Sequence, residues 1–290
     1  VRSSIVLLTR RSFCAAATAS SLAAGLSMTS RASPVEVGVR GLVVRGTTVV
    51  LELGGCRIVV DPCFAAGLGA PGLLRAPPPA TAPDAVGAVD LVLITHGLPG
   101  GFDPAGYGAL DLRDGGRRAG VIVPDERVRA RALRAGSCRR VRVARAGDVV
   151  RRGGVRVSVS PAAIPGSAAV GFHIDGGPGA RVWHTGPLPP LDVAAEAASF
   201  AADHPADLVL GVCAGVGARG AAPAVTAGLL DVQALARLAR AQALVPLARD
   251  VDVAPILAGA LGAGGAEQTP DAAGPPVVSP PPGVWWSRAR

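Results

Sequence analysis

LVLITHGLPGGFDP, residues 91–104, decides how this chain folds. Leu91, Val92, Leu93 and Ile94 form an unbroken apolar run, the pattern of a strand buried on both faces. Thr95 and His96 follow, and then Gly97, Gly100 and Gly101, which give the backbone the freedom that a tight loop needs. The stretch closes on Phe102-Asp103-Pro104. A buried strand that delivers a histidine into a glycine-rich loop is the plan of a site rather than of a plain connection. The pattern predicts a strand over 89–95 and a loop over 96–102 at its C-terminal end.

Upstream, 41–53 and 56–62 read as strands joined by Gly54-Gly55, a two-residue hairpin signal. The Pro/Gly/Ala stretch 66–88 reads as a loop. Downstream, strands are expected at 120–124, 139–144, 155–161, 170–175 and 180–185, with a short helix over 125–136 capped by Asp125 and ended by Gly136. The second half changes rhythm: a helix over 191–204 stopped by Pro205, a strand over 206–212, an amphipathic helix over 229–242, a strand and turn over 243–250, and a helix over 253–263. Strands first, then alternating helix and strand, predict an α+β fold in which helices pack outside a sheet sandwich.

The chain has 290 residues, 49% of them hydrophobic, so it can fill a core without disulfide or metal staples. Its net charge of +8 would ordinarily point to anionic partners. All 29 basic residues are arginine, however, and lysine and asparagine are absent, a bias that resembles GC-rich coding more than a selected surface. Thirteen arginines fall between Arg117 and Arg156 against three acids, with no interleaved aromatics to stack bases, which argues against nucleic acid as a partner. Cys56, Cys63, Cys138 and Cys213 form no C-x-x-C pair and read as small buried hydrophobes. Cys213 in GVCAGVG lacks the G-x-S-x-G pattern of a nucleophile elbow.

Residues 1–33 carry four arginines and no acid, with Arg10-Arg11 before a short apolar run and a small-residue end. They read as a targeting segment, either a plastid transit peptide or a twin-arginine export signal, that packs poorly on the rest. No segment is long and apolar enough for a transmembrane helix. The expected organisation is a targeting segment over 1–33, one domain over 36–263 and a Pro-rich irregular tail over 264–290.

The order of landmarks resembles the metallo-β-lactamase superfamily, in its lactonase-like and phospholipase-like branch of metal-dependent hydrolases. A hairpin ends in DPCF (61–64), LVLITH (91–96) leads to the loop, and SVSPAAI (158–164), GFHID (171–175), RVWHTG (181–186), DLVLGV (207–212) and LVPL (244–247) follow. Pro282-Gly283-Val284 resembles the ending of plastid and cyanobacterial members. The resemblance implies a four-layer αββα sandwich with the loop 96–102 facing a cleft between two sheets. It also implies zinc, held by an H-x-H-x-D-H loop and three further ligands, which acidifies a water for attack on an ester, lactone or phosphodiester.

Laid on this sequence, those ligand positions fall at His96, Leu98, Gly100, Gly101, Ile164, Gly186 and Ala248, and only His96 is a ligand. The expectation is therefore a degenerate member, without metal or other cofactor, that binds a small molecule or a protein. The alternative is an active hydrolase with one zinc in a rearranged site. Cleft candidates are Asp61, Cys63, His96, Asp103 and His184, with Asp250 nearby in the motif. Asp61 reads as a turn-holding residue, His184 as a strand-end histidine with a structural hydrogen bond, His173 as satisfied in its sheet, and His204 as a partner of its helix C-terminus. With no co-ligands, His96→Ala is expected to be nearly neutral.

Overall fold

The computed structural model describes residues 37–65, 78–136, 138–164, 166–189, 194–213, 227, 229–248 and 275–289, together with the backbone of 5–8. Near-continuous apolar runs, buried on both faces, build most of the strands. In chain order they are β1 (Ile5–Leu8), β2 (Val37–Arg45), β3 (Thr48–Leu53), β4 (Cys56–Val60), β5 (Leu91–Leu93), β6 (Gly120–Val123), β7 (Val141–Val143), β8 (Val149–Arg152), β9 (Val155–Pro161), β10 (Val170–Asp175), β11 (Arg181–His184), β12 (Leu208–Cys213), β13 (Ala243–Ala248) and β14 (Trp285–Ala289). The helices are α1 (Pro104–Gly108), α2 (Glu126–Ala135), α3 (Ala195–Asp203) and α4 (Leu229–Leu238). The expected helix over 253–263 and Asp250 lie outside the described residues.

The strands form two sheets, ordered β1-β14-β2-β3-β4-β5-β6-β7 and β13-β12-β11-β10-β9-β8. Period two sends alternate residues to opposite faces. Val49, Leu51 and Leu53 of β3, Ile58 and Val60 of β4, and Leu91 and Leu93 of β5 meet Val157, Phe172, Val182, Leu210 and Val245 between the sheets. The other face of the first sheet, with Val50, Val59 and Val92, packs on Tyr107 of α1 and on Val128 and Ala132 of α2. Trp183, Val209 and Leu244 on the far face of the second sheet pack on Ala197 and Ala201 of α3 and on Val232 and Leu235 of α4. Four layers result, αββα, as the resemblance implies.

Local chemistry explains the boundaries. The β3–β4 hairpin turns on Gly54 (φ +55°) and Gly55 (φ +72°), both in the left-handed region that a two-residue turn of this kind requires. Asp125 accepts the Val128 amide at 2.7 Å and so caps α2. Three features were not anticipated. The segment 41–53, read as one strand, is parts of two, β2 and β3, which pair antiparallel around a turn at Gly46 (φ +49°). α1 begins with Pro at its first position behind Asp103, whose side chain accepts the Ala105 amide, a start signal that the loop reading passed over. β8 pairs with β9 around Gly153-Gly154, although Val149-Val150-Arg151-Arg152 is too short and too polar to stand out.

The ends of the chain differ most from expectation. Beyond Pro282-Gly283, β14 inserts antiparallel beside β2, pairing Trp285 with Leu42 and Trp286 with Gly41, so the first sheet reaches residue 289 rather than ending at 263. Trp286 is buried, and its ring lies where a Cβ on Gly41 would sit, 2.0 Å from Cζ2. Arg40 stacks over Trp285 at 4.9 Å. β1, within the segment read as a leader, pairs antiparallel with the outer edge of β14, Ile5 opposite Arg288 through Leu8 opposite Trp285. An unbroken aliphatic run beside an open sheet edge has this pairing available to it.

Because Trp286 fills the space above Gly41, Trp286→Ala is expected to cost about 3–5 kcal/mol in denaturant unfolding. Its indole N–H is buried without an acceptor among the described residues, so Trp286→Phe should cost clearly less than Trp286→Ala. Equal costs would mean that β14 contributes nothing by packing.

Candidate functional site

The site region forms where β4 and β5 end side by side. They run parallel, Val60 opposite Leu93, and the next residue on the β4 side is Asp61. Its backbone is left-handed (φ +50°), which aspartate tolerates better than most residues. The Asp61 amide donates to the Leu93 carbonyl at 2.8 Å. Its carboxylate is fully buried and accepts from the Thr95 amide at 2.7 Å and from the Thr95 hydroxyl at 2.9 and 2.7 Å. The Asp61 carbonyl takes the Thr48 hydroxyl at 2.6 Å. Asp61 thus holds the turn, the role read for it, with both carboxylate oxygens engaged.

Thr95 links the two sheets, since its carbonyl accepts the Val170 amide of β10 at 2.9 Å. His96 continues the contact through a bridge to Ala169. On the second sheet, β11 ends in His184, and Thr185-Gly186 folds back over β10. Thr185 accepts the Val212 amide at 3.1 Å and donates to the Gly186 carbonyl at 2.9 Å. From the β2–β3 turn, the Thr47 hydroxyl donates to the Gly100 carbonyl at 3.1 Å. Residues 94–103 therefore form a loop at the end of a buried strand, between the two sheets and close to Asp61, as the opening stretch predicts.

Both histidines are buried, and both turn the same nitrogen inward. His96 Nδ1 accepts the Leu98 amide at 3.1 Å, and His184 Nδ1 accepts the Gly186 amide at 3.2 Å. An accepting Nδ1 leaves the proton of a neutral ring on Nε2, so the nitrogen facing away from the backbone offers no lone pair. His184 Nε2 is moreover buried with no hydrogen-bond partner among the described residues. Burial pushes its pKa from 6.5 down to about 4, against a weaker pull from the Thr47 backbone. Its ring is neutral at physiological pH.

Cys63 and Asp103 are buried beside this loop. Burial raises the Cys63 thiol above its usual range more than nearby Arg45 lowers it, so no thiolate is supplied at neutral pH. Asp103 caps α1 through the Ala105 amide at 3.0 Å and accepts the Ala65 amide at 2.8 Å. The five cleft candidates thus gather at one end of the sandwich, but as parts of separate hydrogen-bonded turns. Among the described residues, no three His, Cys, Asp or Glu side chains stand together as a group that could hold a metal.

The remaining family positions carry no donors, and at three of them glycine is favoured by backbone conformation or by crowding. A Cβ on Gly101 would lie 2.4 Å from Cε1 of His96, inside the ring's own space. A Cβ on Gly186 (φ +65°) would lie 2.4 Å from the Val170 carbonyl oxygen. Gly100 sits at φ +93°. Ile164 and Leu98 offer hydrocarbon, and Ala248 ends β13. A dinuclear zinc centre does not fit these residues.

The other histidines are structural in geometry. His173 Nε2 donates to the Pro205 carbonyl at 3.0 Å, and burial lowers its pKa. His204 Nδ1 donates to the Phe200 carbonyl at 3.0 Å at the end of α3 and stacks on the Phe200 ring. Burial pushes the Cys213 thiol up to about 12, far from a nucleophile at neutral pH. Reasoning from sequence missed the threonines: Thr47, Thr48, Thr95 and Thr185 carry the polar framework of the region. Their only signal was position, each at a strand end or turn beside a motif residue.

No protein-family model matches the chain, and no curated protein matches it. Solved structures do. An isothiocyanate hydrolase from Delia radicum gut bacteria matches with TM-score 0.63 at 16% identity, over 85% of this chain and 98% of that one. The metallo-beta-lactamase fold protein YhfI from Bacillus subtilis matches with TM-score 0.60 at 15% identity, over 86% and 99%. A metallo hydrolase from the hyperthermophilic archaeon Ignicoccus hospitalis matches with TM-score 0.59 at 17% identity, over 86% and 97%. The chain has the metallo-β-lactamase fold, and metal-dependent hydrolases are among the structures that share it. At these identities the likeness is one of fold.

Two outcomes follow from the histidines. His184 takes up a proton in the unfolded chain near pH 6.5 but in the fold only near pH 4. The unfolded state binds more protons between those values, so stability is full above pH 6.5 and falls as pH drops toward 4, by about 3 kcal/mol from this residue. His173 acts in the same direction. Urea unfolding at pH 7 and pH 4.5 should show the loss, and His184→Gln should reduce it; an unchanged pH dependence in that variant would assign the loss elsewhere. His96→Ala, expected from sequence to be nearly neutral, is instead predicted to cost about 2 kcal/mol or more, because it empties a buried space and orphans the Leu98 amide. Urea midpoints measure it.

Proposed function

We propose that this protein is a non-catalytic member of the metal-dependent hydrolase lineage, a binding or scaffold protein that keeps the fold and has lost the zinc chemistry. One observation carries the reading: the lone pairs of His96 and His184 are committed to the Leu98 and Gly186 amides. With Nε2 protonated, neither ring is poised to hold a metal, and the left-handed backbone at Gly100 and Gly186 and the His96 ring against Gly101 disfavour replacement ligands there. The family's hydroxide-generating step then has nothing to build on. What remains at the mouth is a firmly hydrogen-bonded floor of backbone and threonines, suited to binding a small molecule or a protein segment. The same reading takes residues 1–33 as a targeting segment for plastid import or twin-arginine export. No helix among the described residues is long and apolar enough to cross a membrane.

Metal analysis of untagged protein tests the proposal. Zinc should be well below one per chain, and chelator should leave the melting temperature unchanged, because a metal bound only to the folded state would raise it by mass action. Stoichiometric zinc that disappears in His96→Ala would overturn the reading in favour of a rearranged mononuclear hydrolase. Zinc retained in that variant would overturn it in favour of a centre built from other residues.

A further inference from the structure

At the opposite ends of β4, β5, β6 and β7 from the histidines, the structure assembles a second concave region that the metal-dependent fold does not call for. Two glycine hairpins floor it. Gly54-Gly55, between β3 and β4, packs against Gly153-Gly154, between β8 and β9, so closely that a Cβ on Gly154 would lie 2.1 Å from the Gly54 carbonyl oxygen. A Cβ on Gly153 would lie 2.6 Å from the Cys56 sulfur. With no side chains at the turns, the space above them is bordered by long residues from neighbouring strand starts: Arg113, Arg118, Arg140 and Arg152, around a hollow of 380 Å³. A second hollow of 390 Å³ adjoins it through Gly55, Cys56 and Arg113, and adds Arg40, Arg57 and Glu52.

The charges there do not cancel. Asp90 is the one carboxylate lining the first hollow, and it is engaged by the Arg57 amide at 2.9 Å and by an ion pair to Arg113. Arg118 pairs with exposed Asp114 at 2.9 Å. Glu52 is shared between Arg40 at 2.7 Å and Arg57 at 2.6 Å. Among the described residues, Arg140 and Arg152 have no ion pair and no side-chain hydrogen bond. A general excess of arginine explains the composition; it does not by itself place Arg113, Arg118, Arg140 and Arg152 around one glycine-floored hollow.

We propose that this hollow binds a linear oligophosphate, a chain of two or more phosphoryl groups. Planar guanidinium forks match phosphoryl oxygens two at a time, and several forks spaced around one hollow suit an anion with several phosphoryl groups better than a single phosphate. Apart from Leu53 the lining is glycine, cysteine and charge, which favours a compact, densely charged ligand over an apolar one. No aromatic lines either hollow, so nothing there offers a stacking platform for the bases of a nucleic acid.

Titration calorimetry on the full chain tests this with tripolyphosphate, ATP, orthophosphate and a short single-stranded oligonucleotide, at about 0.15 M ionic strength. Tripolyphosphate should bind and orthophosphate much more weakly; ATP binding as well as tripolyphosphate identifies a nucleotide's phosphate chain as sufficient, and tripolyphosphate alone identifies the inorganic chain. The double variant Arg140→Ser/Arg152→Ser should weaken tripolyphosphate by about tenfold for each guanidinium removed. Arg127→Ser/Arg134→Ser, which removes the same charge from exposed positions on α2, should leave it within about twofold. Equal losses in the two double variants would reduce the binding to net charge and overturn the proposal. So would tighter binding of the oligonucleotide than of tripolyphosphate, or no binding of tripolyphosphate at all. Both doubles remove exposed or partly exposed arginines with no partner to orphan, and unchanged melting temperatures confirm that each is folded.

Discussion

A buried carboxylate must be saturated with hydrogen bonds or it destabilises the fold that buries it. Asp61 meets much of that requirement through Thr95, whose amide and hydroxyl both reach it. The pairing ties the ends of β4 and β5 together and fixes the direction in which the chain leaves β5. Because Thr95 also offers its carbonyl to Val170, the same residue clamps the first sheet to the second. His96 is then delivered to its bridge with Ala169, and the loop closes over it. Most of what surrounds the cleft follows from this one contact between an acid and a threonine.

The fold was legible because its strands stand out as short apolar runs bounded by turn residues, and the segments 155–161 and 170–175 coincide with β9 and β10. The Gly54-Gly55 turn was legible for a different reason: only glycine commonly adopts two consecutive left-handed residues. What escaped were features with a weaker signal. α1 is five residues long, too short to show a stripe, and β8 is mostly polar. β14 was hidden by the prolines before it, although Trp285 and Trp286 have strong strand preference. Its place between β1 and β2 depends on a pairing across most of the chain, which no local pattern encodes.

The loop at the end of β5 was legible beside Asp61, but its hydrogen bonds were not. Sequence gives the identity of His96 and His184; it does not say which nitrogen each turns inward. That choice is made by the Leu98 and Gly186 amides, whose positions follow from the loop conformations. The same limit applies to Asp103, which was legible as a nearby carboxylate and is in fact the cap of a short helix. Metal ligation and backbone capping draw on the same lone pairs, and in this protein backbone capping has taken them. The outcome is a strand-end region organised as core, with buried rings and satisfied turns, where the fold's hydrolases need open and directed donors.

The crowding of Gly101 by the His96 ring also constrains how this protein can change. A histidine placed at position 101 would have to displace His96, and the displaced ring would give up its bond to Leu98. An acid placed at position 186 would meet the Val170 carbonyl in the same way. Each such residue therefore costs stability when introduced alone, so a zinc centre could be engineered into this loop only by changing several positions together.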